Sequence, residues 1–168
     1  MESKLKLNKI VNSLWFDRNA EEAVDFYLSV FRDSRRGRTL YYGKEGFEQH
    51  GMPEGTLLTI EFEINGAQFI ALNGGPVFKF TEAVSFLINC ETQEEIDYYW
   101  NRLGEGGDPA AQQCGWLKDK FGLSWQVVPI VLDDMIADED KVKAGKAMNA
   151  MLQMKKLDIA KLEEAFNS

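Results

Sequence analysis

The chain has 168 residues, 45% of them hydrophobic, which suits one domain with a sizeable core. Its 19 Lys and Arg stand against 27 Asp and Glu, and the resulting charge of −8 argues against nucleic acid or a membrane surface as partner. No apolar run nears the roughly 20 residues of a bilayer span, and the opening residues carry no apolar signal core, so a cytoplasmic location is expected, with Cys90 and Cys114 as reduced thiols.

In chain order, residues 10–16 read as a strand. Asn19 and Glu22 have capping-box spacing ahead of a helix whose buried stripe is Ala23, Phe26, Tyr27, Val30 and Phe31. Residues 38–42 read as a strand, and 43–55, with four glycines, a proline and the single histidine His50, as a loop. Residues 57–64 alternate, with Leu58, Ile60, Phe62 and Ile64 against Thr59, Glu61 and Glu63. Asn65-Gly66 is a two-residue hairpin turn into 67–73, which Gly74-Gly75-Pro76 ends. The pattern restarts with a strand at 83–90, a capping box at Thr92 and Glu95, and a stripe of Ile96, Tyr99, Trp100 and Leu103. Shorter strands are expected at 110–119 and 123–130, then helices from about Asp133.

An offset of 73 superposes Asn12 on Ser85, Asn19 on Thr92, Glu22 on Glu95 and the two stripes on each other. At the end of each half Asn73 pairs with Gln126. Two strand-helix-three-strand units in tandem, a duplicated module sharing one core, explain this. The expected class is α+β: a single domain of two tandem βαβββ modules, 8–76 and a shorter 82–130, then a helical extension at 133–168.

Leu14-Trp15-Phe16-Asp17, Asn19-Ala20-Glu21-Glu22-Ala23, Phe26-Tyr27 and Phe31 resemble the opening of the PhnB-like branch of the vicinal oxygen chelate (glyoxalase/bleomycin-resistance) superfamily. Cys114-Gly115-Trp116-Leu117-Lys118-Asp119 and Phe121-Gly122-Leu123-Ser124-Trp125-Gln126 resemble its second signature. Such chains often carry the label 3-demethylubiquinone-9 3-methyltransferase. The resemblance implies a cupped mixed sheet with helices outside, and a homodimer, for which the Met-rich C-terminal helices would be a suitable interface. It also implies that metal-dependent members project four ligands into the cup, near Asn12, Asn73, Ser85 and Gln126 here. His, Gln or Glu is expected at those places and only Gln126 complies, and neutral amide and hydroxyl oxygens bind transition metals weakly. A single histidine also excludes sites needing two or three from one chain. No metal site and no cofactor are therefore expected.

Taking the face of Phe86 and Ile88 as the helix side assigns Asn12, Leu14, Phe16, Phe69, Ala71, Asn73, Ser85, Leu87, Asn89, Ser124, Gln126 and Val128 to the cup. The expected ligand-binding set is Asn12, Phe16, Phe69, Asn73, Ser85, Trp116 and Gln126, a mostly apolar concavity with a few amides and hydroxyls; the alternative is a face that only packs. Trp15 and Trp125 fall on the helix side as core. Glu61, opposite the apolar stripe of its strand, is either a general base or part of a solvated face. His50 is either delivered to the site by its loop or simply solvated. Cys114 lacks a base in its motif and reads as an inert thiol. The methyltransferase label finds no glycine-rich turn between a strand and a helix, since Gly74-Gly75 precedes Pro76 and Gly104 to Gly107 follows a helix. The expected function is binding of an unknown small molecule, or an enzyme of this superfamily lacking the usual metal; the alternative is a non-catalytic sequestration protein.

Overall fold

The computed structural model describes residues 5–168, and the chain divides into two compact units at Lys79/Phe80. The first contains β1 (Asn12–Phe16), α1 (Ala20–Val30), β2 (Ser34–Tyr41), a short α2 (Phe47–His50), β3 (Leu57–Ile64) and β4 (Ala67–Asn73). Its sheet has the order β1-β4-β3-β2, with β1 parallel to β4 and the remaining pairs antiparallel. Asn65 and Gly66 turn β3 into β4 with φ of 47° and 76°, the left-handed pair a tight hairpin needs. The expected loop at 43–55 thus holds one turn of helix, and β2 begins four residues earlier than its apolar pattern suggests.

The core of this unit lies between α1 and one face of the sheet. Ala20, Ala23, Val24, Tyr27 and Val30 meet a layer of Leu14, Phe16, Ile60, Phe62, Ile64, Phe69 and Ala71, all buried. Tyr27 stacks on Phe62 with ring centroids 6.2 Å apart, and Phe62 on Phe69 at 5.0 Å.

The second unit contains β5 (Ser85–Cys90), α3 (Gln93–Gly104), a 3-10 turn at Pro109–Ala111, β6 (Trp116–Lys118), β7 (Ser124–Pro129), α4 (Val131–Ala137), α5 (Lys141–Leu152) and α6 (Ile159–Asn167). Its sheet has three strands in the order β5-β7-β6, with β5 parallel to β7. The expected strand at 110–119 is therefore confined to three residues. Before it, Gln113 and Trp116 bridge across Cys114 and Gly115, whose φ angles are 51° and 82°. Here the N-cap forms: Thr92 Oγ1 accepts from Glu95 N–H at 3.3 Å, while Glu95 Oε2 reaches past the cap to accept from Glu91 N–H at 2.7 Å, in place of the Thr92 N–H a capping box would use.

The C-terminal helices use their apolar positions within this unit. Leu132, Met135, Ala147, Leu157 and Leu162 form a buried cluster, with Met151, Met154 and Phe166 packed against it. Cys114 and Gly115 N–H groups donate to the carbonyls of Met154 and Lys155, both at 2.8 Å. Gln93 seals the α5–α6 link by accepting from Ile159 N–H and donating to Leu157 O. The Met-rich stripe expected at a dimer interface is thus largely engaged within the chain itself.

Candidate site on the open face of the second sheet

In the second unit Phe86, Ile88, Trp125 and Val127 turn toward α3, which buries Ile96, Trp100 and Leu103 against them. Phe86 and Trp125 rings lie 5.7 Å apart. The opposite face carries the row Leu87, Gln126, Trp116 and beside it Ser85, Ser124, Lys118, both set by strand register. Gln126 Nε2 donates to Ser85 Oγ at 2.9 Å. Ser124 is 1% exposed, and its hydroxyl oxygen has no hydrogen-bond partner among the described residues. Leu87 is 49% exposed, a large apolar side chain at the surface beside these polar groups. Lys118 pairs with Glu82, and that bond holds the Glu82 carboxyl below its usual range. Strand register thus sets Ser85, Gln126 and Trp116, three of the expected ligand-binding residues, on one face, and Trp125 on the other, toward α3.

The first sheet departs from expectation. Phe69 pairs directly with Phe62 across the β3–β4 hairpin, and parallel pairing of β1 with β4 sets Phe16 beside Asn73. Phe16, Phe69 and Asn73 therefore face α1, and Asn12 lies on that same side at the exposed start of β1, its Nδ2 donating to Gln68 O at 3.0 Å. Asn73 Oδ1 accepts from Ala20 N–H at 2.9 Å, and Nδ2 donates to Leu57 O at 3.2 Å. It thus takes over the capping role expected of Asn19, whose side chain makes no cap bond. Trp15, expected in the helix-side core, projects from the other face. Its Nε1 donates to Gly75 O at 2.8 Å, and its ring lies where Gly74 would carry a Cβ.

The misplacement has one cause. The link from first strand to helix is one residue shorter in the second unit, so an offset of 74, not 73, aligns the helix-facing Phe16 with Cys90 and Leu14 with Ile88. A one-residue slip exchanges the two faces of a strand. By register, Ile70 in the first sheet occupies the place of Gln126, and Glu61 that of Trp116.

Glu61 does lie opposite the apolar stripe, but it is 4% exposed and engaged. Oε1 accepts from the Arg38 guanidinium at 3.1 Å and Oε2 from Leu5 N–H at 3.3 Å, as a buried charge requires. His50 has both ring nitrogens occupied: Met52 N–H donates to Nδ1 at 3.0 Å and Nε2 lies 3.0 Å from Glu45 O. Its ring packs 4.5 Å from that of Tyr42.

Sequence reasoning overlooked Arg38, Gln68 and Asp119. Asp119 Oδ1 accepts from Phe121 and Leu123 N–H, and Oδ2 from Trp125 Nε1 at 2.9 Å, so this buried carboxylate fixes the β6–β7 turn. An Asp two residues ahead of Phe-Gly is the available signal for such a turn.

The four proposed ligand places do not suit a transition metal. Asn12 and Asn73 face the helix side, and Gln126 and Ser85 supply only a neutral amide and a hydroxyl. Among the described residues no three His, Cys, Asp or Glu side chains converge on a point that could hold a metal ion. None of the described helices is long and apolar enough to cross a membrane.

A family model described as 3-demethylubiquinone-9 3-methyltransferase matches residues 8–128. The PhnB protein of Bacillus cereus is 35% identical, the match covering 73% of this chain and 99% of that one, with a TM-score of 0.60. Protein PA1353 of Pseudomonas aeruginosa is 20% identical over 73% of this chain and 98% of its own, with a TM-score of 0.54. The fosfomycin resistance protein FosX of Mesorhizobium loti is 15% identical over 73% and 91% of the two chains, with a TM-score of 0.48. Among curated proteins none matches the chain. The family segment runs from just before β1 to near the end of β7 and contains both signatures, so the chain belongs to the PhnB-like, 3-demethylubiquinone-9 3-methyltransferase family.

Proposed function

We propose that this protein binds a small carbonyl- or phenol-bearing molecule on the open face of its second sheet, without a metal. The observation that carries this reading is the Gln126–Ser85 pair set beside Trp116 and Leu87. A carboxamide offers two donors and an acceptor, and a hydroxyl offers either, so together they suit a neutral polar group. The Trp116 indole offers a flat apolar surface to a ring, and the unpartnered Ser124 hydroxyl lies on the same face. Binding without turnover is favoured over catalysis, because Glu61 is held by Arg38 and both His50 nitrogens are engaged. Methyl transfer finds no support, since Gly74 sits against the Trp15 ring and Gly104 ends a helix.

The test is a thermal-shift and native mass-spectrometry screen of neutral carbonyl and phenol compounds, because a ligand of the folded state raises Tm. A hit should bind Gln126→Leu and Ser85→Ala more weakly, by about 0.5–1.5 kcal/mol per lost hydrogen bond. Unchanged affinity in both variants would place the ligand elsewhere. One tightly held transition metal per purified chain, lost in Gln126→Leu, would overturn the metal-free reading. A homodimer, consistent with the family resemblance, is checked by sedimentation in the same samples.

A further inference from the structure

Residues 5–8 join no strand, yet they lie on the open face of the first sheet. Leu5 is buried and packs against Gly37, where a Cβ would stand 2.7 Å from Leu5 Cγ and 2.9 Å from Glu61 Cβ. Its N–H donates to Glu61 Oε2. Gln68, itself buried, clasps the residues that follow: Oε1 accepts from Asn8 N–H at 2.7 Å, and Nε2 donates to Lys6 O at 3.0 Å. These attachments run to side chains of the sheet and not through a backbone ladder. The family model's match starts at residue 8, three residues after the Leu5 anchor.

Several features make the closed arrangement shallow. Leu5, Lys6, Leu7 and Arg38 line an open groove of about 540 Å³ beside the segment. Arg38 Nε is buried with no partner among the described residues, which penalises the closed state. Lys6 and Asn8 are exposed. A segment with one apolar anchor and exposed polar ties belongs to the low-stability end of a fold, where local opening occurs without global unfolding.

We propose that residues 5–8 form a strap that closes over the Glu61–Arg38 pair, opens locally in solution, and so gates access to the Glu61 carboxylate. Closed, the strap covers Glu61 with Leu5; lifted, it leaves Glu61 paired with Arg38 and exposes one carboxylate oxygen on the sheet face. The strap and Glu61 belong to the first unit and need no ligand for their test, so the fate of the second-sheet site leaves the outcome unaffected.

The experiment is carbodiimide-amine labelling of the full chain read by mass spectrometry, together with amide exchange, in the wild type, Leu5→Ser and Gln68→Leu. The exposed Glu54 serves as internal reference. The strap predicts wild-type exchange at residues 5–8 faster than in β3 and β4, and Glu61 labelling several-fold faster in both variants while Glu54 is unchanged. Equal Glu61 labelling in all three proteins overturns the gate. So does wild-type exchange at residues 5–8 as slow as in β3 and β4, which would make the segment a fixed part of the fold. If Gln68→Leu fails to fold, Leu5→Ser decides alone, because it alters only the arm.

Discussion

Replacing Asn73 with leucine tests the assignment of this amide to α1. Leucine has the same number and branching of side-chain heavy atoms as asparagine and leaves no cavity, so the cost is chiefly the loss of two hydrogen bonds. The Ala20 N–H, on a residue with no exposed surface, loses its acceptor at 2.9 Å, and the Leu57 carbonyl loses a donor at 3.2 Å. A buried group left unpaired costs about 1–3 kcal/mol, and Leu57 is only half-buried, so the total should be about 2–4 kcal/mol. With a urea m-value of about 1–3 kcal/mol/M, a loss of 3 kcal/mol lowers the midpoint by about 1–3 M. Asn73→Asp keeps the acceptor and adds negative charge at a helix N-terminus, so it should lose less. The assay is urea unfolding followed by tryptophan fluorescence, with amide exchange at Ala20 as a local probe. A loss below about 0.5 kcal/mol in Asn73→Leu, with Ala20 still protected, would refute the capping role, given that cap removal normally costs about 1 kcal/mol.

Asp119→Ala removes three hydrogen bonds to one buried carboxylate and should destabilise the second unit by about 3–5 kcal/mol, read as an early transition in urea; a loss under about 1 kcal/mol would show that the turn holds itself. The Lys156 hydrogen bond, then that of Gln93, keeps Asp97 below its usual carboxyl range. Its contribution is present above that usual range and lost as pH falls through the lowered value, so the small stability gap between wild type and Lys156→Ala, at most about 1 kcal/mol for so exposed a pair, should close on acidification. A gap that widens at low pH contradicts the sign. Burial, aided by the nearby Glu95 charge, pushes the Cys90 thiol up to about 12, so a thiol reagent at neutral pH should modify it only after denaturant is added; rapid native modification of Cys90 would show that the β5–α3 core opens readily.

The Asn65-Gly66 hairpin, most of both buried helical stripes and the family were legible in the residues, because period, turn chemistry and spacing are local properties. Alternation also identified which residues of one strand share a face: Ser85 with Leu87, Ile60 with Phe62. What it could not settle was which face a helix covers, since that depends on a partner strand's register. Phe69 faces α1 because it pairs with Phe62, and Asn73 follows four residues later on the same face, within reach of Ala20, 53 positions away in sequence. Tertiary structure alone decided this, and with it the placement of Asn12 and Asn73 on the α1 side of their own sheet. The same holds for Glu61: its strand position was readable, but its burial beneath Leu5 and its pairing with Arg38 depend on an arm 56 residues away folding over the sheet.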